Sequence, residues 1–345
     1  MGILNTIKNL FKQQVIGLDI GNNLIKIVEL EKENDTILLT NVAVAKTPQA
    51  AVQEGVLNDI DLLAEKINCL LKENKFKAHK IVTAVSGEEV IIRTVEVPSM
   101  PAEELAEAVK WEAKGQLPVA VEDAILDYEI LKKGNGAYQL LVIAVKEEVI
   151  NTYLKLFKRL RLDPVAIEIE ATAMTNVLQC LDTKQIVGVV DIGGLTTDVS
   201  IYEAGELLFT RTIEAGSQNI TEEIADSYQL DLKEAEDYKL NNNIFSDDKL
   251  RPVIRSWVTA IYRSLDYFQV KYNDYELNKL FLTGQGSNLT GLINHLENEF
   301  KIEIELLTSL DCIEIKEENS NSISNFSSSL GVAIGLAIRG LKSNG

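Results

Sequence analysis

The chain carries two copies of one short motif, and the aspartate of the second copy follows that of the first by 172 positions in a sequence of 345 residues. The copies centre on Asp19-Ile20-Gly21 and Asp191-Ile192-Gly193, and each closes an apolar run of strand length. A second run of alternating apolar and polar residues follows each copy at once, as a β-hairpin requires. The repeat therefore predicts a fold built from two equivalent halves.

A turn of this composition offers a binding site for an anion. Glycine has no side chain, so a phosphate can closely approach the backbone N–H groups of such a turn. One copy alone fits an ordinary tight hairpin equally well. Two copies in equivalent places predict that facing hairpins clamp a polyphosphate, with the carboxylates of Asp19 and Asp191 holding a hydrated Mg²⁺ between them.

The chain is acidic, with 34 basic and 52 acidic residues and a formal net charge of −18. A nucleic-acid partner would require a basic face that displaces counterions, so this balance argues against nucleic acid as a main partner. Cys69, Cys180 and Cys312 are far apart in sequence and lie among apolar residues. They predict buried, reduced thiols instead of a disulfide or a zinc site.

The start of the chain predicts an amphipathic segment over residues 1–14. Its apolar residues recur on one helical face: Ile3, Leu4, Ile7, Leu10 and Phe11. The segment lies in a membrane interface, packs on its own domain or on a partner, or is a mobile leader. No transmembrane helix is expected, because the best apolar run, from Leu330 to Ile338, is too short to cross a bilayer.

The order of predicted elements divides the rest of the chain into three parts. We expect a first subdomain formed by residues 15–86 and 164–184, an inserted α/β module at 87–163, and a second lobe at 185–345. A long helix of the second lobe has its apolar residues at core spacing: Trp257, Ile261, Leu265 and Phe268. The acidic, serine-rich stretch from Glu314 to Ser329 predicts a loop.

Several runs of residues resemble known families. Asp19-Ile20-Gly21, the run from Asp191 to Asp198 and the run Leu282-Thr283-Gly284-Gln285-Gly286 resemble the two phosphate motifs and the adenosine motif of the actin, Hsp70 and sugar-kinase superfamily. Other runs are similar to the type IV pilus assembly protein PilM family, which is related to the cell-division protein FtsA. They are Val97-Pro98-Ser99-Met100-Pro101, Trp111-Glu112-Ala113, Leu126-Asp127-Tyr128, the run from Arg263 to Phe268, and the run from Gly335 to Leu341.

The resemblance implies an α/β protein with the duplicated, ribonuclease H-like fold of actin. Two lobes would flank a nucleotide cleft, and an α/β subdomain would be inserted in the first lobe. ATP and Mg²⁺ would be the cofactors, with Asp19 and Asp191 anchoring the metal through water. The implied ligands of the β-phosphate are Gly21, Asn22, Asn23 and Lys26, and those of the γ-phosphate are Gly193, Gly194, Thr196 and Thr197.

The resemblance also implies roles for residues outside the two hairpins. Glu170 matches the position that orients an attacking water in relatives. Its neighbour Glu168 is the competing candidate, since strand alternation would put both on the same face. Glu236 and Lys239 match a pair that brackets the ribose, although an ordinary surface ion pair between residues i and i+3 explains them equally well. The remaining implied nucleotide contacts are Gly216, Gly284, Gln285 and Gly286.

Three classes of function fit a nucleotide clamp of this kind. A sugar kinase would need a catalytic aspartate in a substrate cleft, and no such motif is present. A filament-forming ATPase of the FtsA type is the alternative, for which a C-terminal membrane helix would be expected. The resemblance favours an ATP-binding adaptor of a type IV pilus assembly complex on the cytoplasmic face of the membrane, and it leaves ATP hydrolysis open.

The same resemblance implies the partner. It would be the cytoplasmic N-terminal peptide of a bitopic membrane protein similar to PilN, held in a groove between the first subdomain and the inserted module. Other pilus platform proteins and further copies of the chain are additional expected partners. Trp111, on a helix of the module with Leu105 and Val109, either contacts the peptide or belongs to the core.

Overall fold

The computed structural model describes residues 13–34, 36–53, 55–87, 90–114, 123–134, 136–315 and 326–342. Nearly all of the predicted amphipathic segment, residues 1–12, lies outside the described residues. Within the described ranges, no helix is both long and apolar enough to span a bilayer.

The first half forms a six-stranded sheet with strand order β10-β6-β1-β2-β3-β16. Its strands are β1 (Gln13–Ile20), β2 (Leu24–Glu33), β3 (Thr36–Lys46), β6 (Lys80–Val85), β10 (Asp163–Ile169) and β16 (Glu314–Ile315). Strands β1, β2 and β3 form an antiparallel meander, and β6 and β10 follow in parallel on the other side of β1. A short hairpin of β4 (Val52–Gln53) and β5 (Val56–Leu57) lies beside it.

The second half repeats this topology in a five-stranded sheet of order β13-β12-β11-β14-β15. The strands are β11 (Ile186–Ile192), β12 (Thr197–Glu203), β13 (Glu206–Ile213), β14 (Lys279–Thr283) and β15 (Glu303–Leu306). The meander is again antiparallel, and the two later strands are again parallel to its first strand. The predicted duplication is therefore present in the fold.

Helices cover these sheets. They are α1 (Ile60–Glu73), α2 (Ala102–Lys114), α3 (Glu147–Leu160), α4 (Glu170–Cys180), α5 (Ser217–Tyr228), α6 (Leu232–Asn241), α7 (Arg251–Lys271), α8 (Leu292–Phe300) and α9 (Gly331–Lys342). Local chemistry sets where some of them begin. Asp231 caps α6 by accepting from the N–H groups of Lys233 and Glu234, and Glu234 accepts in return from the Asp231 N–H.

The core spacing predicted for α7 is confirmed. Trp257, Ile261, Leu265 and Phe268 are all buried, together with the apolar faces of β11, β12 and β14. The other main core lies around the first sheet, where α9 packs against β1 and α4. A Cβ atom on Gly17 would lie 1.9 Å from the carbonyl oxygen of Ala333, so α9 and β1 approach backbone to backbone.

The inserted module has a small sheet of its own, with order β7-β9-β8. Its strands are β7 (Val90–Pro98), β8 (Ala124–Lys133) and β9 (Ala137–Lys146). Together with α2 they form a separate core of six buried residues: Val95, Val97, Leu105, Val109, Leu140 and Val142. Helix α3 has no residue in that small core: its Tyr153, Leu156 and Phe157 belong to the core of the first lobe, to which β9 also contributes Leu141 and Val145. We therefore propose that the module proper spans Val90–Lys146.

Two local expectations from the sequence are wrong, those for Glu314–Ile315 and Cys69, and one of the two alternatives for Trp111 is excluded. Glu314 and Ile315, predicted to lie in a loop, pair in parallel with β3 and extend the first sheet. Trp111 does not belong to the core, because 78% of its surface is exposed. Cys69 is exposed on α1, where its thiol donates to a carboxylate oxygen of Glu73.

Candidate functional site

The two motif hairpins close with the same geometry. The Gly21 N–H donates to the Leu24 carbonyl at 3.0 Å, and the Gly193 N–H donates to the Thr196 carbonyl at 2.9 Å. Each turn thus spans four residues and uses the N–H of its first glycine internally. An anion at either turn would meet the backbone of the residues that follow that glycine.

The hairpin register pairs each motif aspartate with one residue of the returning strand. Asp19 lies opposite Lys26, and their side chains form an ion pair of 2.7 Å. Asp191 lies opposite Asp198 at the equivalent place in the second copy. The first hairpin therefore brings an acid–base pair to the site, whereas the second brings two carboxylates.

Both turns line a single cleft between the two sheets. The predicted site residues in its lining are Asp19, Gly21, Asn22, Asn23, Lys26, Glu170, Asp191, Gly193, Gly194, Thr196, Gly284 and Gln285. Residues to which the sequence assigned no site role also line it: Leu24, Ser86, Leu195, Asp198 and Val332. Most of the predicted site thus comes together in one place.

The cleft is tight where the turns meet. A Cβ atom on Gly194 would lie 2.2 Å from Nδ2 of Asn23, so the two turns are in contact across the cleft. Gly284 follows β14 with a φ of 87°, and a Cβ atom there would lie 2.2 Å from Oδ1 of Asp191. A residue with a side chain at Gly284 would be strained in its backbone and would also clash with the aspartate.

Charge in the cleft is unbalanced, because four carboxylates share one lysine. Burial raises the pKa of Asp191 to about 7, with Lys26 opposing the shift and Asp198 and Asp19 adding to it. Burial also raises the pKa of Asp198 to about 6, against a hydrogen bond from Thr212. Burial alone would lower the pKa of Lys26, but the surrounding carboxylates outweigh it and raise that pKa. The site would therefore gain from an added cation.

Glu170 and Glu168 have different environments. The expectation that strand alternation puts them on one face is wrong, because β10 ends at Ile169 and Glu170 is the first residue of α4. Glu170 lines the cleft, and burial followed by repulsion from the cleft aspartates raises its pKa well above the usual range. Glu168 instead accepts from Nε of Arg339 at 2.9 Å and from the hydroxyl of Thr172 at 2.6 Å.

Three residues predicted to contact the nucleotide do not line the cleft and instead pack behind the second turn. They are Thr197, Gly216 and Gly286. The Thr197 hydroxyl donates to the carbonyl of Ala215 at 2.7 Å and accepts from the indole of Trp257 at 2.9 Å. Gly216 packs against the backbone of Gly194, and Gly286 packs against Ile192. Their positions fix the shape of the Gly193–Thr196 turn.

Glu236 and Lys239 also lie outside the cleft lining. Their ion pair of 2.7 Å is formed as the i,i+3 spacing predicts, but Lys239 is buried. Its ammonium group donates to the Ser217 carbonyl at 3.0 Å and to the Thr221 hydroxyl at 2.7 Å. Burial lowers the pKa of Lys239, and Glu236 opposes this shift. The pair joins α6 to the start of α5, so it is not an ordinary surface ion pair.

One missed residue was detectable from the sequence. Asp198 follows Asp191 by the same seven positions that separate Lys26 from Asp19, so the hairpin register that points to Lys26 points equally to Asp198. Ser86 gave no such signal. It reaches the cleft because it directly follows β6, whose carboxyl end lies beside that of β1.

The donor set suits a hydrated divalent cation held together with phosphates. Among the described residues, no group of three or more His, Cys, Asp or Glu side chains is arranged to hold a metal by itself. Asp19 and Asp191 could instead share an ion that completes its shell with water and phosphate oxygens, as Mg²⁺ prefers. Asp19 is buried and Asp191 half-buried beside the two turns, which fits that chemistry.

Comparison with known families gives the identity of the fold. The family model for type IV pilus assembly protein PilM matches residues 17–341. The chain belongs to the PilM family. A chain of a solved PilM–PilN type IV pilus biogenesis complex is 29% identical, with a TM-score of 0.87 over 95% of this chain and 98% of that one.

More distant relatives share the fold. The ethanolamine utilization protein EutJ of Carboxydothermus hydrogenoformans superposes with a TM-score of 0.57 at 16% identity, over 94% of this chain and 89% of EutJ. MreB5 of Spiroplasma citri, solved bound to AMPPNP, gives 0.52 at 14% identity, over 90% and 96%. This PilM-family chain therefore has the actin-like fold, as predicted.

Curated relatives include cell-division proteins. FtsA of Bacillus subtilis is 23% identical over 257 residues, which cover 65% of this chain and 57% of FtsA. FtsA of Neisseria meningitidis is 24% identical over 67% of this chain and 62% of FtsA. This PilM-family chain thus matches less than two thirds of the length of each of these two FtsA proteins.

Proposed function

We propose that this protein is the ATP-binding, actin-like component of a type IV pilus assembly complex on the cytoplasmic side of the membrane, where it binds the N-terminal peptide of a PilN-like bitopic protein. Membership of the PilM family supports the pilus role. The solved relative that assembles with PilN supports the choice of partner. ATP binding is part of this proposal, and ATP hydrolysis is not.

The geometry of the two turns is the main support for nucleotide binding in this proposal. Two four-residue turns with the same internal hydrogen bond face one cleft, each preceded by an aspartate. Backbone N–H groups after Gly21 and Gly193 would bind the phosphates, and Lys26 would add a positive charge. Asp19 and Asp191 would hold Mg²⁺ through water, and the ion would neutralise phosphate charge. AMPPNP bound to the MreB5 relative is consistent with this use of the fold.

A matched pair of glycine variants tests the clamp. The hairpin between β8 and β9 closes with the same bond, from the Gly134 N–H to the Ala137 carbonyl at 2.9 Å, and it lies outside the cleft. Gly193→Val should abolish Mg·ATP binding in calorimetry, because its Cβ atom would lie 3.0 Å from the Thr196 carbonyl oxygen and the branched side chain would distort the turn. Gly134→Val should bind as the wild type does. Equal Mg·ATP affinity of the two variants would show that the Gly193 turn is not part of the nucleotide site.

The partner peptide would lie along the seam between the module and the first lobe. Val90, Ile92 and Ile143 are half-buried there and pack against the core of the first lobe. An extended peptide could cover such apolar side chains with its alternate residues and form hydrogen bonds through its backbone. Strands β7 and β8 are the edges of the module sheet.

Neighbouring residues of β7 provide the test of this seam. Ile92 faces the core and is half-buried, whereas Arg93 is exposed. Fluorescence anisotropy with a synthetic N-terminal peptide of the PilN-like protein should show weaker binding to Ile92→Ser and unchanged binding to Arg93→Ser. Both variants should retain Mg·ATP affinity. If Ile92→Ser binds the peptide normally, the seam is not the peptide site.

A further inference from the structure

The second lobe contains a large cavity that shares no residue with the nucleotide cleft. It lies between α7 and α8 and has a volume of about 630 Å³. Its floor is apolar and buried, formed by Ile254, Val258 and Phe300. This volume is within the range of sites that bind small ligands or peptide side chains.

Aromatic and basic groups surround this floor. Tyr262 is half exposed, with its ring centroid 6.1 Å from that of Phe300. The ring of Phe245 stacks on His295 with centroids 4.9 Å apart. Arg251 and Arg255, one helical turn apart on α7, extend the cavity wall into solvent. An apolar floor beside exposed guanidinium groups is a composition enriched in protein interfaces.

The cavity lining has two arginines and one carboxylate, whereas the whole chain has a formal net charge of −18. Arg255 forms no ion pair with any residue that the structure describes. Arg251 pairs with Asp248, but both side chains are largely exposed, so a competing carboxylate can replace Asp248 at little cost. Among the described residues of the lining, Glu299 is the only acid.

We propose that this cavity is a docking site for an acidic segment of a partner protein. Carboxylates of the segment pair with Arg255 and Arg251, and an apolar side chain between them covers the floor beside Tyr262. Arginine binds carboxylates through two parallel hydrogen bonds, which fixes the orientation of the segment as well as its charge. This surface is independent of the proposed nucleotide and PilN-peptide sites, so one chain could hold two partners at once.

A peptide array on the full chain tests the docking site. The probes are synthetic peptides in which Asp or Glu alternates with Leu, Phe or Trp, together with the same peptides carrying Asn and Gln in place of the acids. Arg263 provides a matched control for Arg255, because it is exposed on the same helix and does not line the cavity. We expect the tightest acidic peptide to lose about tenfold or more in affinity with Arg255→Glu and to bind Arg263→Glu as it binds the wild type.

Other outcomes overturn the proposal. An array in which no acidic peptide binds, or in which the amide peptides bind equally well, removes the role of the carboxylates. Equal losses of peptide affinity in Arg255→Glu and Arg263→Glu would show that the peptides respond to the overall charge of the chain and not to this cavity. If sedimentation shows that the chain self-associates without peptide and that Arg255→Glu abolishes this, the occupant is a second copy instead. Thermal melting of each variant confirms that it is folded.

Discussion

Asp191→Asn should stabilise the protein without ligand while weakening its binding of Mg·ATP. Asp191 lies in a cleft with three other carboxylates and a single lysine, and this lysine is paired with Asp19. Without a bound cation, the negative charge of Asp191 opposes folding. With Mg²⁺ and nucleotide bound, the same charge is needed to hold the metal.

The magnitude follows from the pKa of Asp191, which rises from 3.8 to about 7 on folding. A shift of this size corresponds to a penalty of about 4 kcal/mol on the charged form. Because Asp191 is only half-buried and the asparagine amide must also be accommodated, we expect a gain of about 2 kcal/mol, or about 3 °C in Tm. The folded state binds the proton more tightly than the unfolded state does. The penalty therefore grows as pH rises from about 4 to about 7 and is complete above that.

Thermal melts and calorimetry together check this prediction. Asp191→Asn should melt higher than the wild type at about pH 8, and the difference should shrink at about pH 5. Its affinity for Mg·ATP should fall by about tenfold or more, with ATP binding in EDTA nearly unchanged. Asp266→Asn, at an exposed position of α7, should change neither quantity. Lower stability of Asp191→Asn, or unchanged Mg·ATP affinity, would refute the reasoning.

Three further predictions concern single elements of the account. Glu170→Gln should keep Mg·ATP binding and abolish any phosphate release that the wild type shows, whereas Glu168→Gln should leave phosphate release unchanged. The reverse result would assign the water-orienting role to Glu168. Gly284→Ala should weaken Mg·ATP binding and lower Tm more than Gly136→Ala does. Gly136 has a similar positive φ, but an added Cβ there meets nothing within 4 Å. Equal effects of the two variants would mean that backbone strain, and not the clash with Asp191, is the cause. Replacing Val90–Lys146 by a linker, with α3 retained, should abolish capture of the PilN-type peptide and preserve ATP binding, and undiminished capture by the folded variant would place the peptide elsewhere.

Local chemistry made much of the fold predictable. The two motif hairpins follow from glycine turns between alternating strands, and the buried face of α7 follows from the spacing of its apolar residues. The order of the strands in each sheet could be predicted only from the duplication. Local patterns do not show which sheet a parallel strand joins, because that depends on contacts far apart in sequence. The pairing of Glu314 with β3 shows this limit, since an acidic, serine-rich stretch gives no local sign of a strand.

The family resemblance implied the site role of Lys26, and the register of its own hairpin explains its position. Lys26 and Asp19 face each other because the register puts them there. The choice between Glu168 and Glu170 required knowledge of where β10 ends, which a pattern of alternating residues does not give. Trp111 was ambiguous because its helix has an apolar face, and only the packing of Leu105 and Val109 leaves the indole outside the core.

A crystal structure of the full chain with Mg²⁺ and AMPPNP is the most direct test of the proposed nucleotide cleft. It should show the triphosphate between the turns Gly21–Leu24 and Gly193–Thr196, with Mg²⁺ next to Asp19 and Asp191. The adenine should lie beside Gly284. Nucleotide bound elsewhere, or a cleft that remains free of nucleotide at saturating concentration, would contradict the account.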